Sequence, residues 1–490
     1  MAAPTHYNAL ILGSGQAGTP LASHIASLRQ SVCLIERTHI AGCCVNEGCT
    51  PTKTMVASGR IAYLARRAAN YGVGVGGDVS IDMHKIRQRK RNIVDSFRGG
   101  SEKRLKNAGV NVLMGSAQFV GPKEVEVTLT HGGEVKRVTA DQIFINVGCR
   151  PSTPEIQGLQ SIEPSRVLDS TSIQELGEVP KHLVVIGGGV IGLEFGQLFR
   201  RLGASVSIIQ RGPRLFSKRE DPELAECMQD ILREDGVDLL LNTAVASVSK
   251  SNDANLPITI TTRGPDSTNR DIHASHLLIA TGRTPNTDSL NPGAAGITTT
   301  PSGHIRVTPA LATNVSGVYA LGDVKGGPGF THISYDDFRI LRDNLFSASA
   351  SSSESAPKTR STDDRAAFVP SVTYTDPQYA TVGLSLSALP SSKTYVTYSM
   401  PASWIARGLE TEETRGMLKA IVDPETDKMV GFSAIAVEGG EIMSVVQMAM
   451  LGGLTWKDLR DGVFAHPAWS EALNNLWGGE RKEVKGGRDA

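Results

Sequence analysis

"YNALILGSGQAGTPLASHIASLRQSVCLIER" (residues 7–37) and "KHLVVIGGGVIGLEFGQLFRRLGASVSIIQR" (residues 181–211) follow one plan: an apolar strand, G-x-G-x-x-G, a helix of small and apolar residues, and a second apolar strand. Gly13, Gly15 and Gly18 in the first copy, and Gly187, Gly189 and Gly192 in the second, stand where a β–α turn must be tight and open to an incoming pyrophosphate. The helix start behind each turn offers unpaired N–H groups and the positive end of its dipole. A lone glycine pattern of this kind is weak evidence. Two of them, each set between strand and helix, predict two dinucleotide sites and an α/β chain with two Rossmann-like domains.

The repeat permits an internal comparison. Glu36 and Gln210 each lie 23 positions beyond the first glycine of their copy, at the end of the second strand. An acid there accepts hydrogen bonds from the ribose hydroxyls of an adenosine and repels a phosphate on that ribose. Glu36 therefore suits a dinucleotide with free ribose hydroxyls, such as FAD or NAD. The second site reads Gln210-Arg211-Gly212-Pro213-Arg214, which lacks the acid and offers cations to a 2′-phosphate. Arg37 follows Glu36 as well, so the missing acid carries more of the argument than Arg211. The reading favours NADPH, with NADH as the alternative.

Composition sets the outer bounds. The 490 residues balance 50 basic against 50 acidic side chains, with 51 glycines, as expected of a large chain of two to four domains. No concentrated positive field is available for nucleic acid or a membrane surface, so a small molecule is the expected substrate. No apolar run approaches the roughly 18 residues that a bilayer span needs. The first residues show no basic region or cleavage site and the last no address signal, so the expected compartment is the cytoplasm. Clustered cysteines there are more often catalytic or metal-binding than structural.

Several separated motifs now add up to a resemblance over nearly the whole chain. They are the first glycine turn with Glu36, the C-x4-C of Cys44 to Cys49 followed by Pro51 and Lys53, and the second glycine turn with Glu194. "IATGRTPN" (279–286), "VYALGDV" (318–324), "TDPQYATVG" (375–383) and "HPAWSE" (466–471) complete the set. The chain resembles the class I pyridine nucleotide–disulfide oxidoreductases, the family of glutathione reductase, dihydrolipoamide dehydrogenase and mercuric reductase. That resemblance implies an FAD-binding domain in two segments, 1–153 and 280–346, interrupted by an NAD(P)-binding domain at 154–279. A C-terminal α+β dimerisation domain follows at 367–478, between a low-complexity linker at 347–366 and a tail at 479–490.

The cysteines can be weighed against that frame. A zinc site would need a second pair or neighbouring histidines, and Cys33, Cys149 and Cys227 are isolated, so no metal site is expected. Cys33 and Cys149 suit small buried hydrophobes, and Cys227 suits an unremarkable helix position. A structural Cys44–Cys49 disulfide would close too short a loop to contribute much and would not survive a reducing cytosol. A redox-active pair survives that objection. In the resemblance, Cys44 is the interchange thiol and Cys49 the thiol facing the flavin, with Lys53 beside the flavin and ion-paired to Glu194. His466, oriented by Glu471, is the acid and base that reaches the disulfide of the partner subunit. Asp323 and Gly282 are expected to hold FAD with the first glycine turn.

Departures from the family fall around the pair. Many members have threonine where this chain has Cys43 and an apolar residue where it has Glu47, whose charge is expected to raise the Cys44 pKa. Neither the C-terminal cysteine pair nor the N-terminal metal-binding domain typical of mercuric reductases is present in this sequence. Trp469 and Trp477 suit either a substrate pocket or interface packing, and His332 either a flavin contact or a helix cap. The expected function is a homodimeric FAD enzyme that passes electrons from NADPH through Cys44–Cys49 to a small disulfide. Dihydrolipoamide oxidation with NAD, mercuric ion reduction, and a non-catalytic flavoprotein redox sensor are the alternatives.

Overall fold

The computed structural model describes residues 3–216, 221–346 and 359–487. Two compact units form, one from residues 1–52, 88–152 and 282–365, the other from 53–87, 153–281 and 366–490.

In the first unit the opening strand Thr5–Leu12 pairs in parallel with Val32–Glu36 on one side and with Val135–Ile145 on the other. Asn111–Gly121 and Val318–Ala320 extend the parallel sheet, and Glu124–Leu129 joins its neighbours antiparallel. The run of apolar residues in the first strand has the reason expected of a doubly covered strand. Ala9 and Ile11 pack with Leu21 and Ile25 of the helix Gly18–Ser27, while Leu10 and Leu12 pack toward Phe119, Val125 and Val127. Cys33 lies fully buried among the latter, as a small hydrophobe.

The second unit repeats the plan. Asp238–Leu240, Ser205–Ile209, His182–Ile186, His276–Ile279 and Val167–Leu168 form a parallel sheet in that order. Leu183 and Val185 meet the helix Val190–Leu202, and Val184 and Ile186 meet the antiparallel strands Ile258–Arg263 and Asn269–Ala274. A six-stranded antiparallel sheet in the same unit runs Pro370–Thr373, Gln378–Gly383, Lys428–Ala436, Met417–Asp423, Thr394–Pro401, Glu480–Lys485, and the helix Gly439–Leu451 packs against it.

Two expectations are corrected here. Residues 479–490, read as a tail, contain the edge strand Glu480–Lys485, paired with Thr394–Pro401. Its charges suit an edge facing water, and only Val484 contributes to a hydrophobic cluster, so no apolar alternation announced it. Of the 347–366 linker, residues 347–358 lie outside the described residues. Residues 359–365 are tied down: Arg360 pairs with Asp336 and Asp343, and Arg365 with Asp336 and Asp337 of the helix Thr331–Leu345.

A buried polar ladder runs along the helix Val190–Leu202. Glu194, Gln197 and Arg201 lie on one face at spacings of three and four residues. Gln197 exchanges two hydrogen bonds with the Asp376 backbone, and Arg201 and Arg60 both pair with the Asp376 carboxylate. Burial alone would raise that carboxyl, but the two guanidinium charges hold it below the ordinary range. Because the folded pKa is depressed, the stabilisation is complete above the unfolded value and is lost as pH falls through the folded one. Asp376→Asn should cost about 2–3 kcal/mol in chemical denaturation, since it removes the carboxylate shared by two guanidinium groups while Arg201 keeps Asp235 and Arg60 keeps Glu413. The variant should also lose less stability than the parent between about pH 5 and pH 2.

Candidate active site

The thiols sit on a turn forced by backbone geometry. Ala41 and Gly42 both adopt left-handed conformations, at φ 79° and 67°, and start the short helix Gly42–Asn46. A side chain on Gly42 would stand 2.6 Å from the Cα of Gly15, so this turn lies directly against the first glycine turn. Cys44 lies on the short helix, and Cys49 begins the long helix Cys49–Arg67. No disulfide joins them, and the two thiols are hydrogen-bonded to each other. The Thr331 hydroxyl donates to Cys44 Sγ at 2.9 Å and lies 3.3 Å from Cys49 Sγ.

Electrostatics divide the cysteines into two groups. The hydrogen bond from Cys49 pushes the Cys44 thiol up, burial adds to this, and the Thr331 hydrogen bond works in the opposite direction. Two adjoining thiols release their protons as a pair, the second far less readily than the first. Burial raises the Cys43 thiol, the Arg283 charge beside it lowers it, and the Glu47 charge raises it further. Cys43 reaches solvent although protein crowds around it, and its Sγ lies 3.5 Å from Arg283 Nη2. Burial pushes Cys33 up to about 12 and Cys149 and Cys227 up to about 11, which leaves these three inert near neutrality.

Lys53 and Glu194, on two separate motifs in the sequence, meet at 2.7 Å. The Glu194 side chain is only 3% exposed, and its other oxygen accepts the Tyr374 N–H at 2.7 Å. Lys53 also lies over the Tyr374 ring, 5.0 Å from its centre. His466 Nδ1 lies 3.0 Å from both oxygens of Glu471, which orients a ring whose side chain is 67% exposed.

The two glycine turns repeat each other closely. Gly13 and Gly187 have φ of 99° and 115°, and a side chain on either would stand 2.3 or 2.4 Å from a backbone carbonyl oxygen of the neighbouring strand end. Gly15 and Gly18 continue the first turn into the helix Gly18–Ser27, and Gly189 and Gly192 lead the second into Val190–Leu202. Glu36 Oε2 accepts the Ser14 N–H at 3.0 Å, and Gln210 Oε1 accepts the equivalent Gly188 N–H at 3.2 Å. The remaining groups differ. Glu36 Oε1 accepts the Thr38 N–H, whereas Gln210 Nε2 donates to the carbonyls of Arg214 and Phe216. Arg211 is exposed beside it.

The first unit fits FAD on its own geometry. Among the described residues no donor reaches the Asp323 carboxylate, which burial raises and the Arg283 and Lys325 charges lower. Arg283 Nε is buried with no hydrogen-bond partner, one residue after Gly282 at φ 127°. An acceptor without a donor and a guanidinium with one unused N–H, beside a glycine turn, match a dinucleotide with hydroxyls and phosphates. Sequence reasoning missed Thr331, overlooked for His332, whose ring stacks on Phe330 at 5.2 Å between centres. It also missed Asn146, whose side chain accepts the Gly18 N–H and donates to the Leu321 carbonyl. The pocket reading of the tryptophans is not supported: Trp477 is buried against Tyr398 and Trp456, and Trp469 packs on the same cluster.

The model of the pyridine nucleotide-disulphide oxidoreductase family matches residues 7–337, and that of the family's dimerisation domain matches residues 369–477. The chain belongs to this family. The oxidoreductase is 35% identical over 482 residues, 96% of its length and 98% of the relative's, to the probable pyridine nucleotide-disulfide oxidoreductase RclA of Escherichia coli. It is 32% identical to a mercuric reductase of Staphylococcus aureus, over 95% of its own length and 81% of that protein. The solved structure of the HOCl-induced flavoprotein disulfide reductase RclA from Escherichia coli superposes with a TM-score of 0.84 at 35% identity, covering 96% of this chain and 99% of that one. The oxidoreductase is thus an FAD-dependent enzyme of disulfides that uses NAD(P)H. No helix among its described residues is long and apolar enough to cross a membrane.

The two turns should fail separately. Gly13→Ala is expected to yield protein without flavin absorbance. Gly187→Ala should retain the flavin and lose its anaerobic reduction by NADPH or NADH, because the left-handed φ and the nearby carbonyl leave no room for a methyl group.

Proposed function

We propose that this oxidoreductase passes electrons from NADPH through the Cys44–Cys49 pair to a small disulfide substrate. The observation that carries the reading is the placement of both thiols at one hydroxyl, at the start of the helix on which Lys53 follows one turn later. FAD, when bound, supplies the two-electron carrier between the nicotinamide and the thiols. The first glycine turn, Glu36, Gly282 and Asp323 would hold it, and the second glycine turn with Arg211 would hold the nicotinamide dinucleotide. Lys53 places a cation, fixed by Glu194, where negative charge accumulates on reduction.

In the substrate half-reaction the Cys44 thiolate attacks one sulfur of the disulfide, forming a mixed disulfide and expelling a thiolate. His466 of the partner subunit, held by Glu471, protonates that leaving group. Cys49 then attacks Cys44, expels the second substrate thiol and closes the Cys44–Cys49 disulfide. Two protein thiols are oxidised and one substrate disulfide is reduced, so electrons and protons balance. A homodimer carrying the family's dimerisation domain gives the imidazole its partner site.

Metal-ion reduction is the second reading. A relative is a mercuric reductase, and a Cu(II) complex of RclA has been solved. Cys43, beside the pair, is a third thiol that favours it.

Anaerobic titration with NADPH should produce a long-wavelength thiolate–flavin band after two-electron reduction. Simple flavin bleaching, unchanged in Cys44→Ser and Cys49→Ser, would rule the disulfide route out. A turnover panel of glutathione disulfide, lipoamide, aromatic disulfides, mercuric ion and cupric ion ranks the substrates, and His466→Gln should lower disulfide turnover by about 100-fold or more. Gln210→Glu should shift the NADPH to NADH ratio of kcat/KM toward NADH by about 10-fold, because a carboxylate there repels a ribose phosphate.

A further inference from the structure

Thr331 is the first residue of the helix Thr331–Leu345, and its hydroxyl lies within hydrogen-bond reach of both active-site sulfurs. Its position is rigid. Asp337, fully buried two turns along the same helix, accepts the Gly322 N–H at 2.8 Å and pairs with Lys325 and Arg365. The helix start is therefore locked to the Gly-Asp turn, and the hydroxyl cannot drift from the sulfurs without breaking a buried ion cluster.

A hydroxyl carries one proton to donate and lone pairs to accept with. Donation to Cys44 Sγ leaves the same oxygen able to accept only from Cys49 Sγ–H, and rotation of the O–H bond exchanges the two roles. We propose that the Thr331 hydroxyl decides which of the two sulfurs carries the thiolate, donating to Cys44 when it attacks substrate and turning to Cys49 when that sulfur attacks the mixed disulfide. The hydroxyl proton only rotates, while the Cys49 thiol proton passes to His466 of the partner subunit, neutral once it has protonated the first leaving thiolate, and goes from there to the second. The cost of separating charge between the two thiols is met by a donor already in reach of both. The Cys44 environment agrees, since this hydrogen bond opposes the upward push of burial and of Cys49. The inference rests on the reading of Cys44–Cys49 as the working redox pair.

The test is the pH dependence of alkylation of the reduced holoenzyme, read separately for Cys44 and Cys49 by peptide mass spectrometry. Thr331→Val keeps the shape and removes the donor, Thr331→Ser keeps the donor, and Thr331→Ala guards against a packing fault in the valine variant. In Val and Ala, Cys44 alkylation at pH 7 should fall about 10-fold and its profile move about one pH unit upward, the scale of one charge-assisted hydrogen bond. Ser should stay within about twofold of the parent. Profiles unchanged in both Val and Ala, or a Ser variant that shifts as they do, overturn the proposal. If NADPH produces no pair of new thiols in the parent enzyme, the redox pair itself is disproved, an outcome distinct from an unaffected valine variant.

Discussion

Where Gly42 meets Gly15, two turns of unrelated sequence come so close that a single methyl group would separate them. That contact couples the cradle for a dinucleotide to the loop that carries the thiols. Ala41 and Gly42 must both turn left-handed to make it, and the short helix with Cys43 and Cys44 then starts in one fixed direction. Thiols on a flexible loop would meet an electron carrier only by chance. Here the backbone of the cofactor turn is itself the surface on which the thiol loop rests.

The same economy governs the second unit. Glu194, Gln197 and Arg201 line one face of a helix whose other faces are apolar, and each finds its partners from Lys53, Arg60 and the segment around Asp376. A helix that buries an acid, an amide and a guanidinium must satisfy all three at once, because each unpaired group would cost several kcal/mol. The ladder therefore specifies one rotation and one register for the elements it joins. Glu194 gains a second role from it: its two oxygens are shared between Lys53 and a backbone N–H, which fixes the carboxylate and holds the ammonium in place.

The paired glycine turns repeat one scaffold with one decisive side chain changed. The side chain at the end of the second strand accepts the same turn N–H in both copies, so its structural duty is unchanged between Glu36 and Gln210. What changes is the spare half of the group. The carboxylate retains further lone pairs for ribose hydroxyls, whereas the amide spends its N–H donors on the loop that follows and carries no charge to repel a phosphate.

The sequence alone determined what depends on local backbone demands: two glycine turns between strand and helix, a matched position beyond each, and a cysteine spacing too short to be a staple. Such features are legible because a tight turn or a close approach admits few residues whatever surrounds it. Lys53 with Glu194, and His466 with Glu471, were legible only through family motifs, and the geometry brings each pair into contact. Tertiary structure alone decided the rest. Thr331 lies 287 positions from Cys44 and belongs to no motif that speaks of sulfur, yet packing of its helix sets it between the two thiols. The charged strand Glu480–Lys485 exists because an edge was open beside Thr394–Pro401, and the Arg283 guanidinium meets Cys43 from 240 positions away in the chain. A side chain's chemistry is written in its own letter, but what it acts on depends on which distant residues folding brings within a few ångströms.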